Sequence, residues 1–207
     1  MGALSPEAEF DDQDFHALDL SGQRIEPRIF QGCVFTACNF SEVHLGNTRF
    51  HECIFRECNL SNAKLPAAKL ADVRFERCKL LGINFSLCDS TLFEAAFDEC
   101  DASYAGFRAM GLRKIVFANC RLVSADFAAA DLTSADLRGS DLSGATFGKC
   151  SLRGADLRGA TGYDLDPREN DLKGASFSLP EAGRLLQAFG VVLDKAPAAT
   201  PKRSRGR

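Results

Sequence analysis

Tryptophan is missing from this 207-residue chain, tyrosine and methionine occur twice each, and histidine three times. No apolar run approaches the length of a membrane-spanning helix, so no membrane is expected as a partner. The opening MGALSPEAEFDD has neither the basic start nor the apolar stretch of a signal peptide, which points to a cytoplasmic location. Phosphate loops and dinucleotide fingerprints are absent, and so is the C-x₂-C of a zinc site. The nine cysteines lie five, ten, twelve, fifteen, twenty or thirty residues apart, with only His44 and His51 near them. An odd number also argues against a complete disulfide framework. Buried thiols in a reducing compartment remain as their reading. His16, His44 and His51 have no serine or cysteine nucleophile brought near them by any period in the chain. No catalytic residue, cofactor or metal is expected.

Phenylalanine is plentiful, at 17 residues, and it is regularly placed. From Phe10 to Phe85 every fifth residue is Phe, Leu or Ile, without exception. The series resumes two residues out of phase at Leu92 and runs to Leu157, with Ala102 as its one weak position. It blurs at Gly162 and Pro167 and returns at Leu172 and Phe177. Two positions before each large centre sits a small residue, as at Cys33, Cys38, Ala63, Ala130 and Ala155, and this five-residue series holds all nine cysteines, with Cys88 carrying its phase into the slip. Neither a helix, repeating every 3.6 residues, nor a strand, repeating every 2, explains a period of five. A second order lies at twenty residues: Phe15, Phe35, Phe55 and Phe75 match one another, as do Leu92, Leu112, Leu132 and Leu152. Four five-residue sides closing a square coil place such residues directly above each other at the spacing of parallel strands. The expected fold is all-β, a quadrilateral parallel β-helix of about eight coils and roughly 40 Å, followed by a C-terminal α-helix.

The expected organisation is an N-terminal segment (1–9), the solenoid (10–178, with the phase slip at 86–91), a C-terminal segment (179–194) and a disordered basic tail (195–207). The slip predicts a bulge, a widened corner or a kink. The irregular stretch 102–115 predicts a distorted coil or protruding loop. In SLPEAGRLLQAFGVVLD, Pro180 begins a helix and Gly190 ends it, with Ala182, Leu185, Leu186 and Phe189 on one apolar face. Val191–Leu193 read as a short strand. The helix caps the last coil, and its apolar residues are generous enough to join two chains as a homodimer.

Net charge is −3, but Lys195, Lys202, Arg203, Arg205 and Arg207 lie in the tail, so residues 1–194 carry −3 − 5 = −8. Residues 86–179 hold fourteen acids against ten bases, including Asp89, Glu94, Asp98, Glu99 and Asp101 with no base between them. The aspartates just before the centres, Asp126 to Asp141, encircle one coil and do not converge on a cleft. They are expected to bond local turn backbone. A filled solenoid leaves function to its outer surface, and an acidic rod has the outline of a DNA duplex.

The run SADFA AADLT SADLR GSDLS resembles the pentapeptide-repeat signature A(D/N)Lxx, to which twenty-nine of the thirty centres from 10 to 157 conform. CVFTACNFSEVHL, VRFERCKLLGINF and NDLKGASFSLPEAGRLLQAFGVVLD resemble the Qnr-type subgroup, and closely its albicidin-resistance branch. That resemblance implies a right-handed square β-helix, dimeric through a helix matching residues 180–189. It implies a protein that binds DNA gyrase, with topoisomerase IV as a second target, by imitating its DNA segment. Such a protein protects the enzyme from poisons of the quinolone or albicidin kind and binds no nucleic acid itself. On this analogy Asp89, Glu94, Asp98, Glu99, Asp101, Asp136 and Asp141 are candidate gyrase contacts. Ala182, Leu185, Leu186 and Phe189 are candidate dimer residues. The loop insertions of quinolone-protecting members have no counterpart here beyond the slip and residues 102–115. A pentapeptide-repeat scaffold binding another protein is the alternative.

Overall fold

The computed structural model describes residues 7–193; the basic tail expected at 195–207 lies outside them. The chain winds as a four-sided parallel β-solenoid of about eight turns with one short C-terminal helix. The short strands are β1 (Glu9–Asp11), β2 (Asp14–His16), β3 (Ile29–Gln31), β4 (Val34–Thr36), β5 (Arg49–His51) and β6 (Ile54–Arg56). They continue as β7 (Lys69–Ala71), β8 (Val73–Glu76), β9 (Ala95–Asp98), β10 (Val116–Ala118), β11 (Asp156–Leu157) and β12 (Ser176–Phe177). The first side of the tube stacks β1-β3-β5-β7, and the second stacks β2-β4-β6-β8-β9-β10, all parallel. Single-residue bridges join the coils on the third and fourth sides, as in Asp19↔Asn39↔Asn59↔Lys79 and Arg24↔His44↔Lys64.

Hydrogen bonds run between coils. The Leu20 N–H donates to Asn39 O at 2.8 Å, and the Asn39 N–H donates back to Leu18 O at 2.8 Å. Each coil therefore completes its neighbours and cannot satisfy its own backbone alone. Inside, the large centres stack face to face. Phe15, Phe35, Phe55, Phe75, Phe97 and Phe117 form one column, with ring centroids 4.7 to 5.2 Å apart. Rings on adjacent sides meet edge to face, as Phe97 and Phe107 do at 6.1 Å; both orientations suit the aromatic quadrupole.

The aspartates and asparagines before the centres bond turn backbone as expected. Their Oδ1 atoms accept from the N–H two residues on, in Asn39–Ser41, Asp101–Ser103, Asp126–Ala128, Asp141–Ser143 and others. The corner residue two past most centres adopts positive φ, even where it is Ala37 (53°), Glu57 (53°) or Ala129 (60°).

The phase slip is a 22-residue coil: Phe75 pairs with Phe97 (97 − 75 = 22) and Asn84 bridges Gly106. The two added residues are absorbed by 3₁₀ turns at Phe85–Leu87 and Ser90–Leu92. The loop expected at 102–115 does not protrude. Ala102, Phe107, Met110, Leu112 and Ile115 are all buried, so the small slots take Met and Ile inside the tube. At the blurred positions, Tyr163 turns inward in place of Gly162 and is fully buried.

After β12, a 3₁₀ turn (Glu181–Gly183) leads into α1 (Arg184–Gln187), and Gly190 at φ 73° follows. Val191–Leu193 form no strand. They lie past the last coil, where no further coil offers a ladder. No described helix is long and apolar enough to cross a membrane.

Candidate functional surface

The interior leaves little room for chemistry. Corner cysteines donate their thiols to a carbonyl of the coil below: Cys33 to Phe10 O, Cys58 to Phe35 O, Cys78 to Phe55 O and Cys100 to Phe75 O, at 3.3 to 3.4 Å. Further along, Ser140 Oγ and Asn170 Nδ2 take the same role towards Phe117 O and Phe147 O. The slot thus accepts a small donor as well as a small apolar side chain. Burial pushes Cys53 and Cys88 up to about 12. Among the described residues no cluster of histidine, cysteine and carboxylate could hold a metal.

Outside, the candidate acids separate into two groups. Asp89 caps the turn at Ser90–Leu92 and lies 3.5 Å from Lys69; the Thr91 hydroxyl and N–H, with Lys69, hold its carboxyl below the usual range. Asp101 pairs with Arg121 at 3.3 Å. Asp136 is held by Arg138 at 2.6 Å, which lowers its pKa, and its stacked neighbour Asp156 is likewise held by Arg158. These carboxylates belong to pairs on the rod's own surface. By contrast Glu94, Asp98 and Glu99, around β9, make no ion pair among the described residues. Nor does Asp141, whose pKa is lowered by hydrogen bonds from Ser143 and by Arg121. The run from Asp89 to Asp101 spans three sides of the tube: Asp89 and Glu94 lie on the first, Asp98 and Glu99 on the second, and Asp101 on the third.

The N-terminal end is acidic as well: Glu7, Glu9, Asp11, Asp12, Asp14 and Asp19 precede the first base, Arg24. Acidity is therefore not concentrated towards the C-terminal end.

The 22-residue coil opens the first side. The Glu94 N–H turns back to Leu70 O at 2.7 Å and does not reach the next coil. Gly111 bridges forward to Asp131 but not back, and a side chain at Gly111 would meet nothing within 4 Å. Two adjoining surface cavities of about 420 and 170 Å³ flank the break.

At the C-terminal end Leu185 packs against the core, while Leu186 and Phe189 are 43% and 59% exposed. Ala182 is half-buried. Leu179, Val191, Val192 and Leu193 extend the apolar surface. The face expected for dimerisation is thus divided, with Leu185 inside and Leu186 and Phe189 outside.

Two repeat models match the chain. The pentapeptide repeat region covers residues 28–92, and pentapeptide repeats (8 copies) cover 112–148 and 120–159. No curated protein sequence matches. Among solved structures, a trypsin-treated form of QnrB1, a plasmid-mediated fluoroquinolone resistance protein, is 23% identical, with a TM-score of 0.64 over 87% of this chain and 100% of that one. Full-length QnrB1 is 19% identical, with a TM-score of 0.58 over 88% and 100%. These likenesses concern the fold, and together with the repeat models and the five-residue ladder they make the chain a member of the pentapeptide-repeat proteins.

Proposed function

We propose that this rod binds DNA gyrase in place of a DNA segment and protects it from topoisomerase poisons of the albicidin or quinolone kind, with topoisomerase IV as a second target. The observation that carries the reading is the uncovered apolar surface at the C-terminal end of a solenoid that matches QnrB1 over that chain's full length. Pairing two copies through Leu186, Phe189 and their neighbours buries that surface and doubles the rod to about 80 Å. Its action is by binding, with no catalytic step, and the target sets its place in the cytoplasm.

Charge limits the mimicry. About 80 Å of duplex carries roughly 47 phosphate charges, whereas two bodies at −8 carry −16 (2 × −8). Outline and local patches, chiefly Glu94, Asp98, Glu99 and Asp141, therefore do more than net charge. Asp89, Asp101 and Asp136 can contact gyrase only by exchanging their present cations for the enzyme's. That pairing also favours a second reading, a scaffold for another protein that presents a largely self-neutralised surface.

Gyrase supercoiling with the protein titrated in, alone and with albicidin or a fluoroquinolone, separates the two. Relief of poisoning at concentrations that spare supercoiling is the expected result. No effect in any arm would leave the scaffold reading.

A further inference from the structure

We infer that the break in the first side is a docking slot for an extended cationic segment, and that its occupant is the chain's own Lys202–Arg207. Where coils are regular, the residue before each centre donates its N–H to the preceding coil, and the residue after it lends its C=O to the same coil. At the break, the Gly111 N–H and the Arg113 C=O find no such partner among the described residues. These are the donor and acceptor of a strand edge, set in a notch instead of at the end of a sheet. An extended segment laid there completes the ladder by strand addition.

Charge selects the segment. The larger cavity is lined by Asp72, Glu76, Glu94 and Asp98 against Arg74 and Lys114. Arg56 holds Glu76 at 2.9 Å, while Asp72, Glu94 and Asp98 make no ion pair among the described residues and are exposed. Beyond Asp194 the chain has five bases and no acid, ending KRSRGR. In an extended strand Arg203, Arg205 and Arg207 fall on one face, with Ser204 and Gly206 on the other behind Lys202 at the segment's start. Three arginines then meet three carboxylates, and the small residues lie against the notch, where Gly111 leaves open space.

The distance is within reach. The slot lies between the coils of Leu92 and Leu112, and four coils separate Leu92 from Leu172, about 19 Å along the axis. Lys202 is nine residues beyond Leu193, about 30 Å when extended. None of this rests on gyrase as the partner.

The test compares the full chain with one ending at Asp194, by amide hydrogen exchange. Removing the tail should speed exchange across Gly111–Ile115 at least tenfold while leaving the neighbouring coils unchanged. A synthetic peptide of residues 195–207 should bind the shortened chain, protect the same amides and weaken steeply from 0.15 to 1 M salt, on the order of tenfold or more. Glu94→Gln with Asp98→Asn should weaken that binding about tenfold. Equal exchange in the two chains would overturn the proposal. So would protection of the acidic first coil in place of the slot, or equal protection by a peptide of the same composition with its arginines consecutive.

Discussion

Tyr163 is the residue at which the five-residue rule bends. It enters the core one position after the expected centre, its hydroxyl has no hydrogen-bond partner among the described residues, and burial pushes its pKa up. A buried hydroxyl left unpaired costs about 1–3 kcal/mol. Tyr163→Phe should therefore raise stability by about 1 kcal/mol, read as a higher denaturation midpoint with unchanged slope; a lower midpoint would show that the hydroxyl has a partner. Gly162 makes the bend possible, with φ at 72° and a would-be Cβ only 2.9 Å from the Ser143 backbone. Gly162→Ala should cost more than about 2 kcal/mol, combining left-handed strain with overpacking. Gly154→Ala, at φ 65° but with its nearest neighbour 3.6 Å away, should cost only about 1 kcal/mol. Phe10 to Phe85 were legible because size alone decides them. Tyr163 was not, since a one-residue shift in a weak stretch leaves no periodic trace. The left-handed corners were equally hidden, because Ala37, Glu57 and Ala129 carry no glycine signal.

Among the elements, sides and corners behave differently from the ends. The four sides followed from the periods of five and twenty, and the 22-residue coil followed as a widened stretch after Phe85. Its consequence, an unpaired edge at Gly111, was not legible, because it depends on which way Glu94 donates. The C-terminal segment was half legible. A 3.6-residue pattern gave one apolar face, yet α1 is a single turn whose Leu185 faces the core while Leu186 does not. On the proposed pairing, Leu186→Asp with Phe189→Asp should leave monomers without lowering the thermal midpoint of the solenoid, measured by sedimentation and circular dichroism. Leu185→Asp should lower that midpoint as well, since it places a charge against the core. A double variant that still sediments as a dimer would move the interface elsewhere. The candidate acids were legible as a run in sequence but not as a surface, because pairing with Lys69 and Arg121 connects coils about twenty residues apart.

For the molecule as a whole, many carboxylates are stabilised in the folded state. Hydrogen bonds from Arg138 lower Asp136, those from Arg158 lower Asp156, and those from Ser143 lower Asp141. A carboxylate lowered on folding contributes stability that is present above its unfolded pKa of about 3.9 and lost as pH falls through the folded value. The thermal midpoint should be flat from about pH 7 to 5 and fall below about pH 4; a midpoint rising on acidification would contradict these pairings. The stacked coils have a further geometric meaning. Each five-residue unit turns the chain by a quarter of a revolution, and four units advance it by one strand spacing, about 4.8 Å. Duplicating a whole coil therefore lengthens the rod while every downstream surface keeps its compass bearing. Duplicating a single unit rotates the C-terminal end by ninety degrees against the first coil. The length of this molecule and the relative heading of its two ends are thus set independently, one by the number of complete coils and the other by the remainder.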